Sequence, residues 1–303
     1  MPAGFDFIFD WKGDYMIDLH VHSTRSDGTY TPTELVDYAM KKGLSAFALT
    51  DHDTTDGLEE AMAHAKALRD EGKEGVPEII PGIELSSNCS DAEVHVVGLY
   101  IDPNNAEFRS YLGDFVASRD LRNTEMCAKL QEIGIPLTTE ELYQTFPDCV
   151  ITRAHFAAWL RDHGYVSNNK EAFERYIGKH GPCYVPREKI TPEKAISLIL
   201  TAGGIPILAH PILYRLSNAR LESLVATLKD AGLVGIEAIY STYEPSEERD
   251  VRRLAKEYDL LLSGGSDFHG ANKPRIDLGV GLGKLYVPDE LLTEIKAWHG
   301  ARR

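Results

Sequence analysis

The sequence predicts an α/β protein folded as a (β/α)7 barrel with an all-helical insertion. Seven short apolar segments have the length of buried strands, and amphipathic segments with helical spacing follow nearly all of them. Such β–α repeats imply a parallel sheet, either closed as a barrel or open and doubly wound. Polar residues lie at or near the carboxyl ends of at least five of these segments. This is the position of barrel active sites, so we favour the barrel.

Composition limits the classes of function. The chain has 303 residues, of which 43% are hydrophobic and 26% charged, as is ordinary for a globular protein with a sizeable core. Its formal net charge of −15 argues against binding to duplex DNA but allows a small phosphorylated substrate at a local positive site. No apolar run approaches the roughly 20 residues that cross a bilayer, and the amino terminus does not resemble a secretion signal. We therefore expect a cytoplasmic protein without a membrane partner.

The pattern of predicted strands and helices divides the chain into three parts. Residues 1–16 form an amino-terminal leader, residues 17–101 and 190–303 form the barrel, and residues 102–189 form the insertion. Apolar positions recur at helical spacing through the insertion, which distinguishes it from a linker. We expect the insertion to fold over one face of the barrel as a substrate lid.

The first strand, in IDLHVHSTRSDG, alternates apolar residues with Asp18, His20 and His22. The two imidazoles leave the backbone on the same side, about 7 Å apart, which suits two nitrogens that bind one metal ion. A turn then presents Asp27 as an oxygen ligand. The two histidines alone would equally fit ordinary hydrogen-bonded residues of a strand.

The first β–α units end in further polar residues. A helix begins at the N-cap Thr31, with Pro32 and Glu34 completing a capping box, and ends at Gly43. The segment SAFALTDHD is the second strand and carries His52 at its end, before a helix over residues 57–69.

Two more strands precede the insertion, and three follow it. EIIPGIELSS leaves Glu84 near its end, and AEVHVVGLYID contains His95. After the insertion, GGIPILAHP ends with His210, GIEAIYS offers no candidate ligand, and LLLSGGSDFHG ends with Asp267 and His269. Helices are predicted over residues 192–202, 221–231, 246–258 and 289–298.

Together these segments supply nine candidate metal ligands without a thiolate, a set that suits Zn, Mn or Fe. They include six of the eleven histidines. Nine ligands exceed the need of one tetrahedral ion, so we expect two ions about 3.5–4 Å apart, or three, bridged by Glu84 or Asp267. The candidates are His20, His22, Asp27, His52, Glu84, His95, His210, Asp267 and His269.

Six ordered motifs carry a family resemblance. HVHSTRSDG, TDHD, GIE, the histidine of EVHVVGLY, AHP and GSDFH resemble the PHP (polymerase and histidinol phosphatase) family. The resemblance implies a distorted (β/α)7 barrel with two or three metal ions at the carboxyl face of the sheet. A helical insertion after the fourth strand resembles the 3′,5′-nucleoside bisphosphate phosphatases, some of which trim RNA from its 5′ end.

The resemblance also implies a division of the ligands among three ions. The first would bind His20, His22, Glu84 and Asp267, the second Glu84, His95 and His210, and the third Asp27, His52 and His269. We expect a metal-bridged hydroxide to attack phosphorus. Asp51 either orients a metal-bound imidazole or caps the end of its strand.

The insertion is expected to bind substrate. Arg119, Arg122 and Asn123 share one helical face and could hold a second phosphate, with Arg153, His155 and Lys179 as further candidates. For any one of them, a solvated helix residue is the alternative. The predicted reaction removes one phosphate from a nucleoside bisphosphate, with AMP as the product of the adenosine compound, or trims short RNA ends. The alternatives are hydrolysis of a cyclic sugar phosphate or histidinol phosphate, and a non-enzymatic module with a structural or partner-binding role.

Overall fold

The computed structural model describes residues 16–89, 92–186 and 190–302. The predicted leader lies outside this part of the chain except for Met16, which begins the first strand.

Seven strands form one nearly closed barrel in which sequence order equals spatial order. The last strand meets the first, because His22 N donates to Phe268 O (3.0 Å) and Asp267 N donates to His20 O (2.9 Å). The predicted distorted barrel is thus confirmed. The strands are β1 (Met16–Val21), β2 (Leu44–Leu49), β3 (Glu78–Cys89), β4 (Ala92–Leu99), β5 (Ile205–Leu208), β6 (Gly235–Tyr240) and β7 (Leu261–Gly265).

The expectation of a uniformly parallel sheet is wrong at β4, which runs antiparallel to both β3 and β5. The reason is the connection: β3 ends at Cys89 and β4 begins at Ala92, which is too short for the crossover that parallel neighbours need. As a result β4 starts at the edge of the barrel where the parallel strands end. His95 therefore lies opposite Ser86, two residues beyond Glu84.

Helices connect most of the other strands. Thr31 caps the first helix, its side chain accepts from the backbone of Glu34, and Gly43 ends the helix in a left-handed conformation, as predicted. Around the barrel lie α1 (Pro32–Lys42), α2 (Leu58–Asp70), α7 (Pro192–Thr201), α8 (Asn218–Asp230), α9 (Pro245–Glu257) and α10 (Asp289–Gly300).

The segment between β4 and β5 is helical in its described part and has its own apolar core. Met126, Phe156, Trp159 and Ile177 are fully or almost fully buried within it. One helix, α4, was not predicted from the sequence, although Thr138 caps it in the pattern Thr-x-x-Glu. The helices are α3 (Ala106–Glu132), α4 (Thr139–Thr145), α5 (Arg153–Asp162) and α6 (Asn169–Ala172), followed by a π-helical turn (Phe173–Ile177).

Apolar residues of β1 to β6 meet α10 in one core cluster, and a larger cluster lies between the sheet and the other helices. Among the described residues, no helix is both long and apolar enough to cross a membrane.

Candidate metal centre

The predicted ligands come together at one end of the barrel. In the described part of the chain, four groups of His, Asp and Glu residues have potential ligand atoms within 4.8 Å of one another, and every member is one of the nine predicted residues. The groups are His22, Asp27, His52 and His269; His20, Glu84 and His210; His20, His22 and Asp267; and His52, Glu84 and His95. They overlap strongly with the division that the family resemblance implies, although the assignment to individual ions stays a prediction.

Glu84 lies at the middle of the centre. It is 1% exposed, and its two carboxylate oxygens face imidazole nitrogens from four other strands or strand ends. Oε1 lies 2.8 Å from His95 Nδ1 and 3.0 Å from His210 Nε2. Oε2 lies 3.3 Å from His20 Nε2, 3.2 Å from His22 Nε2 and 3.0 Å from His52 Nδ1. A carboxylate with both oxygens surrounded by imidazoles can bridge two ions.

Asp267 and Asp27 provide carboxylates on either side. Asp267 Oδ1 faces His22 Nε2 at 3.4 Å, whereas its Oδ2 accepts from Tyr240 Oη at 2.6 Å and pairs with Lys273 Nζ at 2.5 Å. Asp27 Oδ1 faces His269 Nε2 at 3.2 Å. One oxygen of each carboxylate is thus directed towards imidazoles.

Several of these buried atoms have no hydrogen-bond partner within the described structure. They include His20 Nε2, His22 Nε2, Asp27 Oδ1 and His52 Nδ1. Leaving buried polar atoms unsatisfied is costly, and atoms that face each other across a small space are suited to a shared cation. The donor set of imidazole and carboxylate therefore fits divalent Zn, Mn or Fe.

The electrostatics favour positive charge at two of these histidines. Burial alone would lower the pKa of His20, but Glu84, Glu237 and Asp267 raise it well above its ordinary value. Burial likewise opposes the charged form of His22, yet Asp267 and Glu84 raise its pKa to about 9. Although burial raises the pKa of Glu84, the surrounding imidazoles hold it well below its usual range. Because the carboxylates stay ionised, protons and metal ions compete for the same imidazole nitrogens.

Unusual backbone geometry positions two of the ligands. Asp267 has φ of 56° and His210 has φ of 29°, in the region that non-glycine residues rarely adopt. Gly265, just before the Ser-Asp-Phe-His segment, lets β7 approach β1, because a Cβ there would lie 2.5 Å from His20 Cβ. Strain of this kind is characteristic of functional sites.

Glu237 was not predicted from the sequence and lies in the strand that offered no candidate. It is 3% exposed. Its Oε1 lies 3.1 Å from His20 Nδ1, and its Oε2 accepts from His210 N at 2.7 Å. A carboxylate on Nδ1 leaves Nε2 of His20 to face Glu84 and Asp267. The available signal was one acidic residue in an otherwise apolar strand.

Asp51 reaches the centre indirectly. Its carboxylate accepts from Ser23 N (2.7 Å), Ser23 Oγ (2.6 Å) and Ser26 Oγ (2.6 Å). Ser26 Oγ in turn lies 3.5 Å from His22 Nδ1. Asp51 therefore holds the turn after β1, and its role in orienting the His22 imidazole, by way of Ser26, stays a prediction.

A cleft of about 180 Å³ opens beside the centre. Its walls include Asp27, His52 and His95 from the metal centre and Arg119, Arg122 and Arg153 from the insertion. Three of the six predicted substrate-binding residues thus lie next to the candidate metal ligands.

Arg119 is held by Asp53, a fully buried residue that the sequence analysis did not single out. The Asp53 carboxylate accepts from Arg119 Nε at 3.0 Å and also from Nη2. Its other oxygen accepts from Ser86 N at 2.9 Å. Asp53 therefore links helix α3 of the insertion to strand β3.

The other three predicted substrate-binding residues do not line this cleft. Asn123 is fully buried and donates to Tyr143 Oη at 3.3 Å. His155 Nδ1 accepts from Thr152 N at 2.9 Å and completes the cap of α5, so it has a structural function there. Lys179 is exposed. A contact of these three residues with substrate stays a prediction.

Comparisons with known proteins agree with this geometry. A family model described as PHP domain matches residues 18–176. A 5′-3′ exoribonuclease of Haemophilus influenzae is 38% identical and covers 83% of this chain and 89% of its own. A 3′,5′-nucleoside bisphosphate phosphatase of Chromobacterium violaceum is 34% identical and covers 87% of this chain and 90% of its own.

A solved structure from Bifidobacterium adolescentis, described as a metal-dependent phosphoesterase, has a TM-score of 0.80 and 30% sequence identity. It covers 93% of this chain and 96% of its own. The similarity therefore includes both halves of the chain.

Proposed function

The chain belongs to the PHP domain family and is a metal-dependent phosphoric ester hydrolase, and from this premise we propose that its substrate is a 3′,5′-nucleoside bisphosphate. The reaction removes one phosphate and leaves the 5′-monophosphate, which is AMP for the adenosine compound. The relative named 3′,5′-nucleoside bisphosphate phosphatase, 34% identical to this chain, supports this choice.

The observation that carries the proposal is the shared cleft. Guanidinium groups of Arg119, Arg122 and Arg153 and the donors His52 and His95 line the same space. A substrate with two phosphates can place one at the candidate metal ligands and the other against the guanidinium groups, whose forked geometry suits phosphate oxygens. In a chain with a net charge of −15, three guanidinium groups in one cleft favour a substrate with more than one anionic group.

We propose that the nine predicted ligands hold two or three Mn, Zn or Fe ions in the division given by the family resemblance. When bound, such ions supply a water of lowered pKa and neutralise charge on the phosphoryl oxygens. The close grouping of the side chains, within 4.8 Å, supports this assignment.

The chain itself orients both ends of the substrate. Asp53 fixes the guanidinium of Arg119 before substrate arrives, so less side-chain entropy is lost on binding. Tyr240 and Lys273 hold Oδ2 of Asp267, which directs Oδ1 towards the imidazoles. Reacting and spared phosphates are thereby held by separate, rigid groups.

A substrate screen tests the proposal. We expect the protein, loaded with Mn or Zn, to release phosphate faster from adenosine 3′,5′-bisphosphate than from AMP, a cyclic sugar phosphate or histidinol phosphate. Arg153→Gln should raise KM for the bisphosphate more than KM for AMP, and Arg253→Gln, on the exposed face of α9, is the matched control. Equal rates on bisphosphate and monophosphate would refute the assignment.

Trimming of RNA from its 5′ end is a second candidate, favoured by the relative named 5′-3′ exoribonuclease. The first nucleotide of a 5′-phosphorylated RNA is itself a nucleoside with 3′ and 5′ phosphates, so the same two groups can engage it. We expect release of nucleoside 5′-monophosphate from a 5′-phosphorylated oligoribonucleotide. A 5′-hydroxyl oligoribonucleotide of the same sequence should react more slowly.

A further inference from the structure

We propose that Phe173 and Tyr184 form an aromatic platform on which the nucleobase of the substrate stacks. This inference rests on the proposed function, because it assigns a binding site to the nucleobase of the same substrate. Both rings line the cleft that also contains Asp27, His52 and His95.

A continuous line of contacts connects the platform to the metal centre. The guanidinium of Arg153 lies 5.8 Å from the ring centre of Phe173 and 5.7 Å from that of Tyr184. Its Nη2 donates to Glu93 Oε2 at 3.0 Å, and Glu93 Oε1 lies 3.2 Å from His95 Nε2. The rings thus lie on the same wall of the cleft as Arg153, a candidate phosphate contact. One residue, Glu93, lies between Arg153 and the candidate metal ligand His95.

The fold fixes the backbone at both positions. Phe173 begins the π-helical turn, which Gly178 N closes by donating to Phe173 O at 2.9 Å. Tyr184 follows the fully buried Cys183, and its carbonyl accepts from Lys129 Nζ of α3 at 3.0 Å. Yet both rings are only partly buried, so each keeps an accessible surface beside the cleft. π-Helical turns occur frequently at functional sites.

Stacking suits a substrate class that is defined by its phosphates and tolerant of its base. Every nucleobase has a flat π-face, so an aromatic wall accepts each of them without reading its hydrogen-bonding edge. Arg153, which lies against both rings, adds a planar cation that can stack in the same way. A sugar phosphate without a base gains nothing from this wall, so the platform favours nucleotides over the smaller phosphoesters.

The test compares adenosine 3′,5′-bisphosphate with ribose 3,5-bisphosphate, which has both phosphates but no base. We expect KM to be about tenfold higher for the base-free compound, since stacking on one aromatic ring commonly has an effect of this size. Phe173→Leu and Tyr184→Leu should each raise KM for the nucleotide about tenfold and leave KM for the base-free compound unchanged. Leucine keeps apolar bulk, so the fold is preserved.

Two control variants accompany these. Tyr184→Phe keeps the ring and should keep the wild-type KM. Tyr176→Leu alters the same helical turn, but this ring is not part of the cleft wall, so both KM values should stay unchanged. A similar rise in KM for both substrates in the Phe173 and Tyr184 leucine variants would overturn the platform, because the rings would then serve only to position Arg153.

Failure of the proposed function can be distinguished from failure of the platform. Should the wild-type protein hydrolyse neither bisphosphate, the proposed function fails, and calorimetric titration with AMP and ribose 5-phosphate decides on the platform. Tighter binding of AMP that Phe173→Leu abolishes would support it. Equal affinity for the two compounds would overturn it.

Discussion

At the scale of single residues, the centre depends on one buried carboxylate. Glu84 faces imidazole nitrogens of five histidines at 2.8 to 3.3 Å. An isolated buried charge is strongly unfavourable, and so are five imidazoles that share a small space with few hydrogen-bond partners. Each group is tolerable because the other is present, and a bound divalent ion would satisfy both. This mutual dependence makes the neighbours that orient the imidazoles important.

Glu237 gives the first prediction. Glu237→Gln keeps the shape of the side chain but removes the negative charge beside His20 Nδ1, 3.1 Å away. We expect metal affinity to fall by about 10- to 100-fold, the usual effect of losing a carboxylate that orients a metal-bound histidine. Competition with a chromophoric chelator measures it. Glu248→Gln on α9 is the control, and unchanged affinity in the Glu237 variant would contradict the orienting role.

The pair of Asp53 and Arg119 gives the second prediction. Both residues are buried, so Asp53→Asn leaves the guanidinium without its counter-charge. We expect the free energy of unfolding to fall by about 3–5 kcal/mol, as when one partner of a buried ion pair is removed. Denaturant titration measures this loss.

A double variant separates stability from binding at this pair. Asp53→Asn combined with Arg119→Met removes both charges and should recover much of the lost stability. KM for the bisphosphate should nevertheless be raised, because the guanidinium that we propose binds phosphate is gone. Recovery of KM in the double variant would show that Arg119 has only a structural role.

The sequence allowed the prediction of those residues that lie next to recognisable turns. His20, His52 and Asp267 belong to short polar motifs at or near strand ends, and the recurrence of such motifs along the chain indicated a shared site. Glu237 lies inside a strand, and the partner of Asp53 is 66 residues away in a helix of the insertion. Contacts of this kind depend on the packing of elements, so no local pattern reveals them.

At the scale of elements, the signals differ in strength. The capping box and the terminal glycine of α1 are local chemistry, and both were predicted correctly. The direction of β4 was predicted wrongly, because a buried strand has the same apolar pattern in either direction. Only the shortness of its connection to β3 indicated a hairpin.

Gly265 gives a prediction at this scale. A Cβ at this position would lie 2.5 Å from His20 Cβ and 2.6 Å from His20 N. We expect Gly265→Ala to push β7 away from β1, to lower the free energy of unfolding by about 1–3 kcal/mol and to weaken metal binding. Thermal unfolding and metal analysis of the purified variant measure the two effects.

The matched control is Gly113→Ala in the middle of α3, where an added Cβ meets nothing within 4 Å. This substitution should stabilise the protein by about 0.5–1 kcal/mol, because alanine loses less backbone entropy in a helix. A Gly265 variant as stable as the Gly113 variant would show that the strands have room to adjust.

At the scale of the whole molecule, charge is distributed unevenly. The net charge is −15, yet three guanidinium groups line the cleft beside the metal centre. The total charge could be calculated from the sequence, but this grouping of arginines could not, because they come from two helices that meet only in the fold. The same holds for the centre, which draws on residues from position 20 to position 269.

Removal of the metal therefore gives the last prediction, since ions that join six strands or strand ends should stabilise the whole barrel. A ligand that binds only the folded state adds about 2.7 kcal/mol of stability at 100 times its dissociation constant. We expect a chelator to lower Tm and Mn or Zn to restore it, as measured by calorimetry without any substrate. Glu84→Ala should abolish this shift, because both oxygens that face the imidazoles are lost. Glu257→Ala, on the exposed end of α9, should retain it. An equal metal-induced rise in Tm in the Glu84 variant would mean that the stabilising ions bind elsewhere.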